Sequence, residues 1–272
     1  MLRRYLELDV FATGPLTGNP LAVVVDAGGL TTEQMQAFAR WTNLSETTFL
    51  LPPTTAAADY RVRIFTPREE YPFAGHPTLG SAAAWLVTGG TPRTPGTVVQ
   101  ECGAGLVGVR TTADALAFAA PPLTRSSPLD DATLQRILDA LGLTPGDVVD
   151  HAWGVNGPQW PMLHLASVDT LRSLPPDAGV RVGLVGLAAL TDAEPHAYEV
   201  RALVEDGEDP VTGSLNAALA QWLRGRDLVP ATYTVSQGRQ VGRDGEVRVH
   251  DDGTDVWIGG RVTERVRGTL DL

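Results

Sequence analysis

The chain has 272 residues, of which 43% are hydrophobic and 19% are charged, a composition typical of an ordered globular protein. This length suits two domains of similar size better than a single core. The formal net charge is −11 and no basic stretch stands out, so we expect no nucleic-acid partner.

The only cysteine is Cys102, so a disulfide within the chain is excluded and a reduced, cytoplasmic setting is expected. The first residues enter a strand-like alternation without an apolar signal core. The longest apolar runs are too short to span a bilayer, so we expect no membrane partner.

Strands and helices alternate along the first half of the chain. Strands are predicted at residues 5–11, 21–25, 45–51, 60–65, 98–102 and 106–109. Thr31 and Gln34 have the spacing of a capping box and open a helix after the second strand. An Ala-rich helix follows the fourth strand, with Pro77 in its first turn. A Pro- and Ser-rich linker is predicted at residues 119–130.

The second half repeats this mixture. Helices are predicted at residues 131–141 and 214–224, and strands at 162–166, 183–187, 197–203, 232–236, 246–250, 256–258 and from 262 onward. Strands outnumber helices and are mostly joined by short turns. The pattern therefore favours an α+β fold with antiparallel sheets over a doubly wound parallel sheet.

One motif occurs twice, 138 residues apart. Its first copy contains Val62-Arg63, Glu70, Pro72 and Gly75, and its second contains Val200-Arg201, Glu208, Pro210 and Gly213. An Ala-rich run follows each copy, so each predicts a strand, a turn and a helix. We therefore predict two similar halves, residues 1–120 and 121–272, with the last strand allowed to return to the first half. An active site at their junction would receive one helix N-terminus from each.

The first candidate catalytic residue is Glu46. Strand alternation would place it on one face with Leu44 and Leu50. On an interior face, burial would raise the carboxyl pKa toward neutrality, where the group can both take and return a proton. A glutamate on a solvent-facing or frayed strand has the same sequence pattern, so both interpretations stay open.

Two helix starts supply the other candidates. His76 precedes Pro77 and is predicted at or near an N-cap, where free backbone amides and the imidazole would face an anion. Asp209 and Ser214 bracket the matching turn in the second half. Ordinary capped helices use the same residue types. The duplication, which makes His76 and Ser214 equivalent, favours a carboxylate-binding site.

Neither a metal nor a cofactor is predicted. The five histidines show no metal-binding spacing, and one cysteine cannot build a thiolate site. A Gly-x-x-x-x-Gly-Lys-Ser/Thr phosphate loop and a Gly-x-Ser-x-Gly elbow are absent, and no dinucleotide-binding glycine turn is predicted.

Several of these segments together resemble the phenazine-biosynthesis PhzF-like isomerase family over nearly the full length. The matching segments are Asp9-Val10-Phe11, Gly18-Asn19-Pro20, Ser45-Glu46-Thr47, Phe65-Thr66-Pro67, residues 72–80, residues 208–214, Gln237-Gly238-Arg239 and Gly242-Arg243. The resemblance implies a diaminopimelate-epimerase-like fold in which two pseudo-symmetric halves each wrap a β-barrel-like sheet around a central helix. It also implies a homodimer that acts without cofactors.

The resemblance also implies roles for particular residues. The family's acid/base glutamate falls on Glu46, and its supporting polar residues fall on His76, Asp209 and Ser214. The substrate-binding positions implied are Asn19, Gly75, Pro77, Thr212, Gly213, Gly238 and Arg243. Related racemases use two cysteines, but the corresponding places here hold residues 74–76 and 211–213 without a cysteine, so a two-thiol mechanism is excluded.

The sequence thus predicts a cofactor-independent isomerase that moves a proton between carbons of a small carboxylate-bearing, cyclic or unsaturated substrate. Two alternatives stay open. One is an amino-acid racemase or epimerase that uses carboxyl or imidazole bases in place of thiols. The other is a small-molecule-binding protein that keeps the cleft without the reaction.

Overall fold

The structure, a computed structural model, describes residues 1–192 and 195–272. The chain forms two compact units. Unit 1 comprises Met1–Ala119 and Gly259–Leu272, and unit 2 comprises Ala120–Ile258. The chain passes between the units twice, after residue 119 and after residue 258, so the C-terminal segment packs with the N-terminal one.

The strands of the described residues are β1 (Leu2–Val10), β2 (Asn19–Val24), β3 (Thr47–Leu51), β4 (Tyr60–Phe65), β5 (Glu70–Tyr71), β6 (Thr97–Cys102), β7 (Gly105–Thr111), β8 (Leu116–Ala119), β9 (Val148–Val155), β10 (Gln159–Leu165), β11 (Val185–Leu190), β12 (Tyr198–Val204), β13 (Gly207–Asp209), β14 (Thr232–Gln237), β15 (Gly245–Asp251), β16 (Val256–Gly260) and β17 (Val262–Asp271). The α-helices are α1 (Thr32–Thr42), α2 (Gly75–Val87), α3 (Asp131–Leu141), α4 (Val168–Ser173), α5 (Ala178–Val182) and α6 (Gly213–Arg224). Short 3-10 turns lie at Pro145–Asp147 and Arg239–Val241.

The strand pairing in unit 1 is mixed. Strand β1 pairs antiparallel with β17 and β2, β2 runs parallel to β3, and β3 runs antiparallel to β4. Strand β4 then pairs antiparallel with β5 and parallel with β6, and β6, β7 and β8 form an antiparallel meander.

Unit 2 shows the same order of pairings. Strand β9 runs antiparallel to β10, β10 parallel to β11, and β11 antiparallel to β12. Strand β12 pairs antiparallel with β13 and parallel with β14, and β14 pairs antiparallel with β15. The expectation of antiparallel sheets was therefore only partly correct. Each parallel pair is joined by a connection that contains a helix, as a parallel crossover requires.

Helices α2 and α6 are the most buried helices of their units. Most of α2 is buried, and it contacts β1 to β4, β6 to β8 and β17. Ten residues of α6 are buried. Small residues let α2 approach the sheet closely, since a Cβ on Gly80 would come within 2.4 Å of Leu21 Cδ2. Helices that are apolar on all sides are buried in this way.

Side-chain clusters complete the two cores. In unit 1, α1 packs through Met35, Phe38 and Ala39 onto Phe49 and Phe65. In unit 2, a second cluster joins α3, α4 and α5 to β10, β11 and β12; its buried members include Ile137, Leu163, Leu171, Val182, Leu187 and Leu203. These clusters hold β3, which follows Glu46, and β12, which pairs with the strand that ends at Asp209.

Several local predictions are confirmed. Thr31 and Gln34 form both bonds of the capping box at the start of α1. The bounds predicted for α3 are those observed, because Asp130 caps its start and Gly142 adopts the left-handed conformation at its end.

Other predictions were wrong. Strand β3 begins at Thr47, so Glu46 lies immediately before the strand instead of on its face. Residues 47–50 are all buried, so alternation did not identify an interior face there. Strands β8 and β9 and the short helices α4 and α5 were missed. The prediction that His76 lies at or near an N-cap is instead confirmed, because it is the second residue of α2, whose N-cap is Ala74.

The glycine spacing of a dinucleotide-binding turn does occur, at Gly103, Gly105 and Gly108. It falls on the antiparallel hairpin that joins β6 and β7. A dinucleotide turn needs a strand followed at once by a helix, because the helix start binds the pyrophosphate. This segment therefore lacks the context of a cofactor site. None of the described helices is long and apolar enough to cross a membrane.

Candidate active site

In unit 1, Glu46, His76 and Asn19 lie together. Glu46 Oε2 is 3.3 Å from His76 Nδ1, and Asn19 Nδ2 is 3.4 Å from the same nitrogen. The Glu46 side chain is 14% exposed, whereas His76 is 3% exposed. A carboxylate, an imidazole and a carboxamide thus meet at the start of α2, with only the carboxylate partly open to solvent.

Burial determines the charge of His76. It lowers the pKa of the imidazole to about 3, and a smaller effect of the Pro20 backbone opposes this shift. His76 is therefore neutral at pH 7, so one ring nitrogen donates and the other accepts. Its Nε2 atom is buried and has no hydrogen-bond partner within residues 1–192 and 195–272. A neutral imidazole beside a carboxylate is suited to hold or pass a proton.

The loop before β2 places Asn19 beside His76. The carboxylate of Asp9 accepts hydrogen bonds from Gly18 N at 2.8 Å and Thr17 N at 3.2 Å, which ties this loop to β1. Position 18 requires glycine, since a Cβ there would lie 2.1 Å from Val10 O. The Asp9 and Gly18 motif residues therefore have a structural role in positioning Asn19.

A buried polar contact links the strand that follows Glu46 to the helix that bears His76. Ser81 Oγ donates to Thr48 Oγ1 at 2.9 Å, joining α2 to β3. Gly75 and Pro77 flank His76 in the first turn of α2, and both are buried. The N-cap Ala74 has no side chain that can cap the helix, so backbone donors of the first turn are left without a side-chain acceptor from the cap.

In unit 2, the turn that precedes α6 carries the second group of candidates. Thr212 is the N-cap of α6, but its side chain makes no capping hydrogen bond. Its hydroxyl instead donates to Asp209 Oδ2 at 2.5 Å. The first turn of α6, which contains Gly213 and Ser214, therefore keeps backbone donors and a positive dipole end that favour an anion.

Ser214 is held by two neutral donors. Trp160 Nε1 donates to Ser214 Oγ at 3.2 Å, and Asn156 Nδ2 donates to Ser214 O at 2.8 Å. Because the indole donates to the hydroxyl oxygen, the hydroxyl proton is available to point elsewhere. Both donors were missed by the sequence prediction, since they lie 54 and 58 residues from Ser214.

Gly238 and Arg243 lie next to the same turn. Gly238 has φ 101°, and a Cβ there would come within 2.6 Å of Pro210 O and 2.7 Å of Arg243 Cβ. Arg243 N donates to Gly238 O at 2.9 Å, closing the small loop. Only glycine combines this backbone conformation with this close approach. The loop thereby packs against the Asp209 turn.

The structure thus brings the predicted residues into two groups. Asn19, Glu46, Gly75, His76 and Pro77 form one group in unit 1. The other group, in unit 2, consists of Asp209, Thr212, Gly213, Ser214, Gly238 and Arg243. Within the described part of the chain, no group of three His, Cys, Asp or Glu side chains is arranged to hold a metal ion.

Solved structures place this mixed fold of sheets and helices in a class. A Bacillus anthracis phenazine biosynthesis protein of the PhzF family superposes with a TM-score of 0.84 at 21% identity, with both chains covered completely. A probable proline racemase from Agrobacterium radiobacter superposes with a TM-score of 0.62 at 14% identity, covering 99% of this chain and 93% of the other. The chain therefore has an epimerase-like fold.

Sequence comparison identifies the family. The model for phenazine biosynthesis-like proteins, PhzC-PhzF, matches residues 8–268. A Mesorhizobium japonicum protein named as an uncharacterized isomerase is 37% identical over 91% of this chain and 90% of its own length. The trans-2,3-dihydro-3-hydroxyanthranilate isomerase of Pseudomonas fluorescens is 36% identical over 65% of this chain and 62% of its own length. The chain belongs to the PhzC-PhzF family and is an isomerase.

Proposed function

We propose that this protein is a cofactor-independent isomerase that moves a proton between carbons of a small carboxylate-bearing, cyclic or unsaturated metabolite. The observation that carries the proposal is the contact of Glu46 Oε2 with Nδ1 of the buried, neutral His76. The Glu46 carboxylate is partly exposed and can therefore act as a base on a substrate, and the imidazole of His76 beside it is uncharged. Relatives named as isomerases support the reaction class.

Glu46 would act as the base and then as the acid. Its carboxylate takes a proton from an acidified carbon and the electron pair spreads into the conjugated system. The carboxyl group, whose proton exchanges with solvent while it is held, then delivers a proton to another carbon. No oxidant, reductant or second substrate is needed, so the atoms and electrons balance. A positioned general base of this kind contributes typically ~10²–10⁴-fold to the rate.

His76 and Asn19 would support this step. Because burial keeps the imidazole of His76 neutral, it can accept or donate one hydrogen bond as charge develops on the substrate. Asn19 contacts the same ring nitrogen and restrains its orientation. Gly75 and Pro77 would shape the backbone that approaches the substrate.

The residues of unit 2 would bind the carboxylate and the polar substituents. Ser214, Gly213 and the start of α6, next to the N-cap Thr212, present neutral donors, and this favours an anion despite the net charge of −11. Asp209 would accept a hydrogen bond from a substrate hydroxyl or amine, and Gly238 and Arg243 would close the pocket behind it.

The shared order of strand pairings in the two units supports a finer description of the fold. We propose that the units are pseudo-symmetric halves, each with a barrel-like sheet around a central helix, α2 or α6. In this description the equivalence of His76 and Ser214 follows from the repeat.

A heavy-water screen tests the proposed reaction. The purified protein is incubated in deuterium oxide with trans-2,3-dihydro-3-hydroxyanthranilate and a panel of cyclic and unsaturated carboxylates, and products are followed by NMR and mass spectrometry. We expect at least one compound to change the position of its double bond. A panel that shows neither conversion nor exchange would contradict the proposal.

A racemase or epimerase is the second candidate, favoured by the likeness of the fold to a probable proline racemase. Cys102, at the end of β6, is the only cysteine in the sequence, so any such reaction cannot use a pair of thiols. The same screen with amino acids separates the two. Deuterium at the α-carbon with inverted configuration would support the racemase, and a moved double bond would support the isomerase.

A further inference from the structure

Gln237, the last residue of β14, is completely buried and makes four hydrogen bonds to the segment around the Asp209 turn. Its Oε1 accepts from Thr212 N at 3.1 Å and from Asn216 Nδ2 at 2.7 Å. Its Nε2 donates to Thr212 Oγ1 at 3.0 Å and to Asp209 O at 3.2 Å. Gln237 belongs to a segment that resembles the family, but the resemblance implies no role for it.

The orientation of the Gln237 carboxamide is fixed by its partners. A backbone N–H and a side-chain NH₂ can only donate, so the side of the amide that faces Thr212 N and Asn216 must be the oxygen. The nitrogen then faces the Asp209 carbonyl oxygen, which can only accept. Reversing the amide would place two donors against the NH₂ group and leave buried groups unpaired, a costly arrangement.

This orientation also fixes the hydroxyl of Thr212. Because Gln237 Nε2 can only donate, Thr212 Oγ1 must accept from it. The single hydroxyl proton of Thr212 is then directed to Asp209 Oδ2, 2.5 Å away. Gln237 therefore donates to Thr212, and Thr212 donates to Asp209, so the donor and the acceptor of each hydrogen bond in this chain are fixed.

We propose that Gln237 is a positioning residue, which sets the direction of the Thr212 hydroxyl and so holds the Asp209 carboxylate as a charged acceptor. The functional part of this inference rests on the proposed role of Asp209 in binding a substrate hydroxyl or amine. Hydrogen bonds donated to a carboxylate favour its charged form, and fixed side chains bind without losing further conformational freedom.

Unit 1 offers a matched control in Gln100. This glutamine is also completely buried and lies on the strand that follows the central helix of its unit. Its Nε2 donates to Thr78 Oγ1 at 3.0 Å, and its Oε1 accepts from Tyr60 at 2.9 Å. Thr78 and Asn216 are equivalent in the repeat, so each glutamine contacts the fourth residue of its helix. Of the two glutamines, only Gln237 contacts a threonine whose hydroxyl donates to a candidate catalytic carboxylate.

The experiment compares Gln237→Met, Thr212→Val, Thr212→Ser, the double variant Gln237→Met with Thr212→Val, and Gln100→Met. The first readout is the carboxyl carbon chemical shift of Asp209 in the ligand-free, carbon-13-labelled protein, assigned with Asp209→Asn. The second is kcat and KM for whichever compound the heavy-water screen identifies. The first readout needs no substrate, so it decides the Gln237 inference even if the proposed reaction fails.

We expect Gln237→Met and Thr212→Val to move the Asp209 resonance in the same direction, and Thr212→Ser and Gln100→Met to leave it in place. Turnover should fall roughly 10- to 100-fold in Gln237→Met and in Thr212→Val, the range for a misplaced site group. The double variant should lose little more than either single variant, because both act through one hydroxyl. Gln100→Met should lose stability without this loss of turnover.

Two results would overturn the inference. One is a wild-type Asp209 resonance in Gln237→Met while Thr212→Val moves it. The other is a double variant whose losses are the product of the single losses, which indicates independent effects. If Gln237→Met does not fold, Gln237→Glu replaces it, since that variant keeps an acceptor for Thr212 N and Asn216 and removes the donor. The same displacement of the Asp209 resonance is then required.

Discussion

The first turns of α2 and α6 share a backbone plan and differ in chemistry. His76 and Ser214 are both the second residue of their helix, and an asparagine contacts each of them: Asn19, the first residue of β2, and Asn156, between β9 and β10. Around His76 there is a carboxylate, whereas around Ser214 there are the neutral donors of Trp160 and Asn156. The same frame thus presents a carboxylate in one unit and neutral hydrogen-bond donors in the other.

The repeated Arg–Glu pairs show a second difference between the units. In unit 1, Arg63 and Glu70 are 2.6 Å apart and are 20% and 39% exposed. In unit 2, Arg201 and Glu208 are 2.7 Å apart and fully buried. Arg201 also donates to the carbonyl oxygens of Leu171, Leu174 and Pro175, which α4 and the residues after it bring over the pair. The shared spacing of the Arg–Glu pair in the two copies of the repeat therefore does not predict whether the pair is buried.

The largest effect on stability is expected at the buried pair. Arg201→Met leaves Glu208 buried without its partner and should lower the free energy of unfolding by ~3–5 kcal/mol. Arg63→Met is the matched control and should cost at most ~1 kcal/mol, because its pair is partly exposed. Urea unfolding at pH 7 measures both. Equal losses in the two variants would contradict the contrast between the units.

The pH dependence of the Arg201 variant sharpens this test. Burial raises the pKa of Glu208 above the ordinary 4.5, and Arg201 opposes the rise. Without Arg201 the folded state binds this proton more tightly than the unfolded state. Stability is then retained below the unfolded pKa and lost as the pH rises through the raised folded pKa. Arg201→Met should therefore be closer to wild type at about pH 5 than at pH 8.

The next effect concerns His76. Its folded pKa of about 3 lies below the value of 6.5 for an exposed histidine. The folded state thus binds fewer protons between these values, so the stability is fully present above pH 6.5 and is lost as the pH falls. His76→Asn should remove up to about 2 kcal/mol of the stability that wild type loses between pH 6.5 and 5. The free energy of unfolding of wild type and His76→Asn, measured from pH 6.5 to 5, checks this prediction. If the two proteins lost stability equally over this range, His76 would be exposed to solvent and not buried.

The smallest effect is expected at Ser214. Ser214→Ala removes one neutral donor from the start of α6 and should weaken substrate binding by about 10-fold, as loss of one hydrogen bond to a charged group does. Ser81→Ala is the control in unit 1, because Ser81 donates to Thr48 and to no candidate site residue. Titration calorimetry measures both variants. Equal weakening in both would remove the assignment of anion binding to α6.

The sequence predicted correctly the helices whose ends are defined by capping side chains or by a left-handed glycine or asparagine. Thr31 with Gln34, and Asp130 with Gly142, define helix ends through hydrogen bonds and a left-handed residue, and these act over a few positions. The position of Glu46 relative to β3 was mispredicted, because residues 47–50 are buried on both faces and alternation carries no information there.

The contacts that build the site were less accessible from the sequence. Gln237 reaches Thr212 across 25 residues, and Trp160 reaches Ser214 across 54, so neither is visible as a spacing. The parallel pairs, such as β2 with β3, depend on where the helices cross over, and single-strand patterns do not encode this. The correspondence between His76 and Ser214 was predicted instead from the repeated glycine and proline positions, 138 residues apart.

The central claim is that Glu46 moves the proton, and Glu46→Gln in heavy water tests it most directly. The variant is compared with wild type and with Glu33→Gln, a change at a glutamate in the first turn of α1. Substrate affinity and deuterium incorporation are measured on the same samples. We predict that Glu46→Gln binds substrate like wild type but incorporates deuterium ~10²–10⁴-fold more slowly. Glu33→Gln should match wild type in both substrate affinity and deuterium incorporation. Deuterium incorporation by Glu46→Gln at the wild-type rate would contradict the claim.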